Sequence, residues 1–130
     1  MKMGEEMINI PPIMLKWSDW VSWGDLVIDA RGEGGVRIPN QEPGVYEVRY
    51  RDSEERLTIG KASDLRMRIK QGLVKGKAKH SSGSKIRSGE EVSKLVVRWA
   101  TSNRPAAVEE ELHRKYRIKF GELPKYTKHT

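Results

Sequence analysis

Apolar and polar side chains alternate with a period of two along residues 44–51, 56–61 and 95–100. This alternation is typical of strands with one buried face, so the chain predicts three short strands. The polar residues 52–55 separate the first two strands and predict a hairpin turn. A helical pattern follows the second strand, and another follows the third. We therefore expect an α+β fold, a small three-stranded antiparallel sheet flanked by helices.

The register of the predicted hairpin follows from the length of its turn. If four residues close the turn, Arg51 lies opposite Arg56, and counting back along both strands brings Tyr46 opposite Lys61. Both of these side chains then belong to the apolar side of the hairpin. We therefore expect the Tyr46 phenol and the Lys61 amine to be neighbours.

The segment after the second predicted strand has the apolar spacing of a helix. Ser63 and Asp64 supply a capping hydroxyl and a first-turn carboxylate, which favour a helix start at this point. At about 100° per residue, Arg68 lies on the flank of the inward stripe, whereas Arg66 and Lys70 point further toward water. The guanidinium of Arg68 is thus the one best held by packing. The inward stripe consists of Leu65, Ile69 and Gly72.

The last helix is predicted to begin near Pro105, because proline is favoured in a first helical turn. Of three consecutive carboxylates, Glu109 borders the apolar stripe of this helix, while Glu110 and Glu111 project away from it. A solvated acidic turn at the helix N-terminus explains the same three residues without any function. Helical geometry nevertheless sets Glu109 apart from the other two. The apolar stripe consists of Val108, Leu112 and Tyr116.

A short helix over residues 16–26 is predicted by three tryptophans at spacings of three, Trp17, Trp20 and Trp23. Their common side needs a cover, which is supplied by the main domain, by a second copy of the chain in a homodimer, or by stacked bases. Residues 31–43 hold glycines and two prolines and predict a loop. We therefore treat residues 1–43 as a helical N-terminal extension packed on one main domain, residues 44–130.

Positive charge is concentrated in the second part of the chain. Residues 1–43 hold four Lys and Arg against seven Asp and Glu, whereas residues 44–130 hold 21 against 11. Residues 72–89 are rich in Gly, Ser and Lys and predict a mobile basic loop. Basic residues without nearby carboxylates fit a polyanion, because each neutralised phosphate releases condensed counterions. The residues expected to contact nucleic acid are Arg66, Lys70, Lys75, Lys77, Lys79, Lys85 and Arg87.

Composition and motif spacing narrow the functional classes. The chain has no cysteine, so a metal ion has to be held by oxygen or imidazole ligands. His113 is expected on a polar side of the last helix and His129 in a tail, and no pair of histidines has metal-ligand spacing. Residues 59–62 do not complete a phosphate-binding P-loop. No apolar run approaches the roughly 20 residues of a membrane span, so we expect a cytoplasmic protein.

Two short motifs with a fixed separation resemble a known nuclease domain. Gly44-Val45-Tyr46 is followed, after eleven residues, by Thr58-Ile59-Gly60. Arg68 follows in the next predicted helix, and Glu109 lies three residues before Leu112 in the last one. This arrangement resembles the GIY-YIG nuclease domain, found in excision-repair incision subunits, homing endonucleases and some restriction enzymes. The resemblance covers residues 44–121 and leaves the tryptophan-bearing extension outside it.

The resemblance implies a metal-dependent DNA endonuclease, with RNA as a further possible substrate. In such a site Glu109 would hold one Mg²⁺ or Mn²⁺ ion, and Arg68 would clamp the scissile phosphate. Tyr46 would orient or deprotonate the attacking water, and Lys61 would favour its phenolate or act as the base itself. His80 lies about where some members of the family have a histidine.

Two positions depart from the pattern of the family. Thr58 stands where the second motif usually has a tyrosine, and Gly121 stands where an asparagine often follows the last helix. Thr58 cannot supply a phenol, so a mechanism with a second tyrosine as the proton acceptor is excluded. Two other functions remain open at this point. One is a catalytically impaired nucleic-acid-binding module, and the other is an interaction subunit that delivers nucleic acid to a separate enzyme.

Overall fold

The computed structural model describes residues 14–28 and 38–127. Four strands form one antiparallel sheet in the order β1-β4-β2-β3, namely β1 (Val21–Ser22), β2 (Gly44–Tyr50), β3 (Arg56–Ala62) and β4 (Leu95–Thr101). The helical elements are α1 (Trp23–Ile28), a π-helix (Met67–Val74), α2 (Ser81–Gly89), a short 3₁₀ turn (Val92–Lys94) and α3 (Pro105–Phe120). The α+β class is confirmed, and the sheet has one strand more than predicted.

The fourth strand comes from the tryptophan-bearing segment, which does not form the predicted helix. The backbone N–H of Ser18 donates to the Trp99 carbonyl at 2.8 Å, and the Ser18 hydroxyl accepts from the Trp99 N–H at 3.0 Å. Strand β1 then pairs with β4, and helix α1 begins only at Trp23. The free edge of β4 satisfies this extended backbone, so the spacing of the tryptophans does not determine its conformation.

Both faces of the sheet are covered by other parts of the chain. One face carries Tyr46 and Val97, and it packs against α1, the π-helix and α2 in the main core. On the other face, Val45 and Ala100 pack against Val108 of α3, with Leu15, Trp17 and Leu112 around them. Trp23, Leu26 and Ile38 lie in the same core as the strands, so the core continues across the predicted boundary at residue 43. Within the described ranges, no helix combines the length and apolarity needed to cross a bilayer.

The predicted register of the hairpin is wrong by one residue at its open end. Strands β2 and β3 pair Tyr46 with Gly60 and Val45 with Lys61. The register shifts near Val48, where β3 has an extra residue, and the hairpin closes on the pair Arg49 and Arg56. A shift of one residue exchanges the two faces of a strand. Lys61 therefore lies on the α3 face of the sheet, and Tyr46 lies on the opposite face.

The helix after β3 has wider turns than the sequence predicts. The backbone N–H of Lys75 donates to the carbonyl of Lys70 five residues back, which is the hydrogen bond of a π-helix. Leu65, Ile69 and Gly72 are buried as expected. The expectation that Lys70 faces water is wrong, because the wider turn rotates its side chain inward and leaves the residue only 7% exposed.

Residues 72–89 do not form the predicted mobile loop. The π-helix continues to Val74, and α2 occupies residues 81–89. His80 caps α2, since its ring accepts the N–H of Gly83 at 2.9 Å. Arg87 donates at 2.9 Å to the Gly72 carbonyl at the end of the π-helix. These side-chain contacts to the backbone join the two helices despite the high content of Gly and Ser.

A buried carboxylate joins the arginines on the α3 face of the sheet. The Glu47 side chain is 5% exposed, and its Oε1 accepts from Arg56 Nε at 2.8 Å and from Arg98 Nη2 at 2.8 Å. Trp20 lies against the cluster, with the Arg49 guanidinium 4.3 Å from its ring centre and that of Arg98 at 4.6 Å. The N-terminal segment is therefore held to the sheet by cation–π contacts as well as by backbone pairing.

Replacement of Glu47 by alanine is expected to destabilise the protein strongly. The change leaves partly buried guanidiniums without their carboxylate, which costs about 3 to 5 kcal/mol of unfolding free energy. Urea unfolding measures this loss. Glu54→Ala is the matched control, because the Glu54 side chain is 73% exposed in its ion pair with Arg49 and should contribute less than about 1 kcal/mol. Equal effects of the two changes would contradict the role of Glu47.

Candidate active site

The ring of Tyr46 lies across the edge strand β3. Tyr46 pairs with Gly60, and a Cβ atom on residue 60 would lie 2.5 Å from the Tyr46 hydroxyl oxygen. Any side chain at this position would collide with the phenol. The second short motif thus ends in glycine because the tyrosine of the first motif passes over it. Tyr46 is only 2% exposed, and its hydroxyl lies over Gly60 of the edge strand.

The hydroxyl of Tyr46 is hydrogen-bonded to His80, with 2.8 Å between the oxygen and Nε2. The other ring nitrogen, Nδ1, accepts the N–H of Gly83, so it cannot carry a proton. The single proton of the neutral ring is therefore on Nε2, which donates to the Tyr46 oxygen. Burial and the positive charges of Arg68 and Arg87 lower the pKa of His80 to about 4, which keeps the ring neutral at neutral pH.

Arg68 lies beside the same phenol. Its guanidinium is partly exposed, and one nitrogen, Nη1, donates to the Lys79 carbonyl at 3.3 Å. Burial raises the pKa of Tyr46, whereas the charge and hydrogen-bonding contact of Arg68 lower it. A shallow cleft opens at this arginine, lined by Ser63, Asp64, Met67, Gly72, Ala78 and Lys79. Arg68 thus supplies the cation that the sequence pattern assigns to Lys61.

Glu109 lies on helix α3, which packs on the opposite face of the sheet from Tyr46. Burial is the main cause of the raised pKa of the Tyr46 phenol, and the negative charge of Glu109 is the smallest contribution to it. Glu109 is half-buried, while Glu110 and Glu111 are exposed, as the helical geometry predicts. Glu111 forms an ion pair with Arg114 at 2.6 Å. Glu109 has no hydrogen-bond or ion-pair partner among residues 14–28 and 38–127.

The ligands available for a metal ion are few. In the part of the chain that the structure describes, no three His, Asp or Glu side chains cluster in a way that could hold one. Glu109 is a single carboxylate at this edge. A single carboxylate fits Mg²⁺ or Mn²⁺ only when water and substrate oxygens complete the coordination, and Mg²⁺ commonly binds in this way. The donor set therefore fits a substrate-assisted metal site and does not fit an all-protein cage.

Lys61 is exposed on the α3 face of β3, next to Gly60. The expectation that it neighbours the Tyr46 hydroxyl across the hairpin is wrong, because the register shift moves it to the other face of the sheet. Lys61 is on the same face as α3, which carries Glu109. It is thus available to contact a ligand at the edge of β3, and Tyr46 receives its cation from Arg68.

The seven basic residues expected to bind nucleic acid have different environments. Arg66 donates from Nε to the Ile38 carbonyl at 2.9 Å, and Arg87 donates to backbone carbonyls of the π-helix. Lys70 is buried. The remaining four reach solvent, since Lys75 is half-exposed and Lys77, Lys79 and Lys85 are exposed. The accessible basic surface is therefore smaller than the sequence predicts.

The two departures from the GIY-YIG pattern have structural explanations. Thr58 is 2% exposed, and its hydroxyl lies 3.4 Å from that of Thr127 in the segment that follows α3. Thr127 also accepts the Ile59 N–H at 3.2 Å, and the Tyr126 N–H donates to the Leu57 carbonyl, so this segment covers the outer edge of β3 at residues 57–59. Gly121 caps the C-terminus of α3 with a φ of 84°, a left-handed conformation that favours glycine.

No family model matches this chain, and no curated protein or solved structure gives a significant match.

The environment of His113 differs from the one that the sequence predicts. A polar side of the helix is expected, but His113 is 5% exposed, and its Nε2 lies 3.0 Å from the Ile59 carbonyl oxygen. The sequence contains one indication that His113 is buried. It lies four residues after Glu109, which puts both side chains on one face of α3. His129 lies outside the described residues, as does most of the predicted loop over residues 31–43.

Replacement of His80 by asparagine is expected to flatten the pH dependence of stability. The pKa of His80 is about 4 in the folded protein and about 6.5 when unfolded, so the unfolded chain binds more protons between these values. Stability is therefore lost as pH falls, by about 2 kcal/mol from about pH 7 to about pH 5. Asparagine still caps α2 but is too short to reach Tyr46. Urea unfolding at both pH values measures the difference, and an unchanged slope in the variant would contradict the assignment.

Proposed function

We propose that this protein is a divalent-metal-dependent DNA endonuclease with a GIY-YIG-like fold. The observation that carries the proposal is the Tyr46 phenol beside the Arg68 guanidinium at β3, with Glu109 carried by α3 on the other face of the sheet. A phenol, a guanidinium and a carboxylate together suit the hydrolysis of a phosphodiester. Of the three, the Glu109 carboxylate has no protein partner in the described ranges. The motifs Gly44-Val45-Tyr46 and Thr58-Ile59-Gly60, and the eleven residues between them, support the same function.

Arg68 would bind the phosphate to be cleaved. A guanidinium is always charged and donates two parallel hydrogen bonds, which match two oxygens of a phosphate. One of its nitrogens donates to the Lys79 carbonyl, and the guanidinium keeps further donors at the cleft. Lys61, exposed beside Gly60, is positioned to contact the same nucleic-acid backbone. These charges stabilise the negative charge that develops as the phosphorus becomes five-coordinate.

Tyr46 would take a proton from the attacking water. The water oxygen forms a bond to phosphorus while the bond to the leaving oxygen breaks, and the leaving oxygen takes a proton from solvent. Since burial raises the pKa of Tyr46, its phenolate is the minor form at neutral pH. Two groups favour the phenolate. Arg68 brings positive charge to the phenol oxygen, and the Nε2–H of His80 donates a hydrogen bond to it.

Glu109 would hold the metal ion. A bound Mg²⁺ or Mn²⁺ would neutralise charge on the phosphate and the leaving oxygen. The approach of α3 brings this carboxylate to the opposite side of β3 from Arg68. The scissile phosphate would therefore lie at the strand edge, between groups from the two faces of the sheet. Lys77, Lys79 and Lys85 would bind flanking phosphates, which fixes position without reading sequence.

A nucleic-acid-binding module without catalysis is the second candidate. Thr58 favours it, because this buried residue supplies no second phenol and its hydroxyl lies by Thr127. The same basic surface would serve such a module or a subunit that delivers DNA or RNA to a separate enzyme. Salt-sensitive binding without strand cleavage is the result that this candidate predicts.

Incubation of supercoiled plasmid with the protein and Mg²⁺ or Mn²⁺ is expected to produce nicked circles. Glu109→Gln removes the charge that holds the metal ion, and Arg68→Lys removes the paired donors, so each should lower the nicking rate by roughly 100-fold or more. Chelation of the metal should have the same effect. Gel electrophoresis of the plasmid over time measures all of these rates.

Glu110→Gln is the matched control, because it changes the neighbouring carboxylate on the solvent side of the same helix. It should nick at the rate of the unmodified protein. Plasmid cleavage that survives Glu109→Gln and Arg68→Lys would contradict the proposed site. Binding that weakens with salt and never leads to nicking would favour the second candidate.

A further inference from the structure

A buried histidine joins the helix that carries Glu109 to the strand that carries Gly60. His113 is 5% exposed, and its Nε2 lies 3.0 Å from the carbonyl oxygen of Ile59. A carbonyl oxygen can only accept, so Nε2 carries a proton and donates it. Both bonded residues are close to the candidate site, because Ile59 precedes Gly60 and His113 lies one helical turn after Glu109.

A second contact shows in which direction α3 runs along the strand. The Tyr116 hydroxyl accepts the backbone N–H of Arg56 at 3.1 Å. From His113 to Tyr116 the helix advances while its contacts on β3 move backward, from Ile59 to Arg56. The helix therefore runs antiparallel to β3. One turn toward its start, a distance of about 5.4 Å, brings Glu109 alongside Gly60 and Lys61.

The position of the Glu109 carboxylate depends on this register. Among residues 14–28 and 38–127, no hydrogen bond or ion pair holds the side chain of Glu109. Its place is thus set by the backbone of α3. The apolar contacts of Val108 with Val45 and Ala100 hold the helix against the sheet, but they are not directional. The His113 hydrogen bond is directional and has its acceptor next to Gly60.

We infer that His113 is a positioning residue that sets the position of Glu109 along β3 and so determines the affinity for the metal ion. The inference rests on the proposed function, since it concerns the ion that Glu109 would hold. His113 does not touch the metal or the substrate. Its effect arises because ligand positions must be held within fractions of an ångström, and loss of supporting hydrogen bonds commonly weakens metal binding by roughly 10- to 100-fold.

The test compares three variants by Mn²⁺ binding in the presence of a short DNA duplex, with the duplex alone as the blank, measured through the electron paramagnetic resonance signal of the free ion. His113→Leu keeps an apolar side chain of similar size but removes the hydrogen bond, and it should raise the half-saturating Mn²⁺ concentration about tenfold. His113→Gln carries an amide N–H that can reach the Ile59 carbonyl, and it should restore binding to within about threefold.

Tyr116→Phe is the control for a general loss of helix stability. It removes the other hydrogen bond between α3 and β3, two turns away from Glu109, and should leave the half-saturating Mn²⁺ concentration unchanged. Nicking rates at saturating Mn²⁺ should differ less among the variants than their Mn²⁺ affinities do.

The outcomes separate the inference from the proposed function. If the unmodified protein with the duplex binds no Mn²⁺ beyond the blank, or binds it equally well after Glu109→Gln, the proposed function fails. If Glu109 is required for binding but His113→Leu leaves the half-saturating concentration unchanged, the positioning role of His113 is wrong. An equal shift in Tyr116→Phe would also overturn it, because the effect would then come from helix stability alone.

Discussion

The candidate site depends on one steric condition, the passage of the Tyr46 ring over a glycine in the edge strand. A Cβ atom on residue 60 would lie 2.5 Å from the phenol oxygen, so the tyrosine reaches the strand edge only because Gly60 has no side chain. At that edge the hydroxyl meets His80 and Arg68, which belong to one face of the sheet. Helix α3 brings Glu109 from the other face. The arrangement joins elements that are otherwise separated by the thickness of the sheet.

The electrostatics of the molecule divide into two regions of different character. On the α3 face, Glu47 binds Arg56 and Arg98 directly, and the tryptophan-bearing segment covers them. These charges are paired and partly buried, which suits a structural role. At the edge of β3, Glu109 has no such partner in the described ranges, and Arg68 keeps donors for a ligand. Charge without an internal partner is the feature that distinguishes the candidate site from the structural cluster.

Much of the architecture can be predicted from sequence because its signals are local. Alternating residues identify the strands, and the stripe along α3 sets Glu109 apart from Glu110 and Glu111 by helical geometry alone. The errors arise where distant parts of the chain compete. The bulge opposite Val48 moves Lys61 to the other face, and the free edge of β4 keeps Trp17 and Trp20 out of a helix. Neither event leaves a periodic signal in the sequence.

In the candidate site, too, contacts between distant parts of the chain could not be predicted from the sequence. Tyr46, Arg68 and Glu109 stand out by their motifs; Arg68 lies beside the Tyr46 phenol, and Glu109 lies on α3 at the other face of the sheet. The partners that set their chemistry are not evident from the sequence, because His80 and His113 act through backbone atoms of other elements. The π-helix likewise has no clear signature in its residues, and it buries Lys70. Sequence thus predicts the elements that carry these side chains more reliably than the contacts that each side chain makes.

Paramagnetic broadening by Mn²⁺ in the amide NMR spectrum tests the central claim most directly. With a DNA duplex bound, traces of Mn²⁺ should broaden the signals of Gly60, Lys61 and Glu109 together, and those of Arg49 and Trp20 should stay sharp. Glu109→Gln should abolish the effect. Broadening that is spread over other exposed carboxylates, or that persists unchanged after Glu109→Gln, would contradict a metal site at the edge of β3.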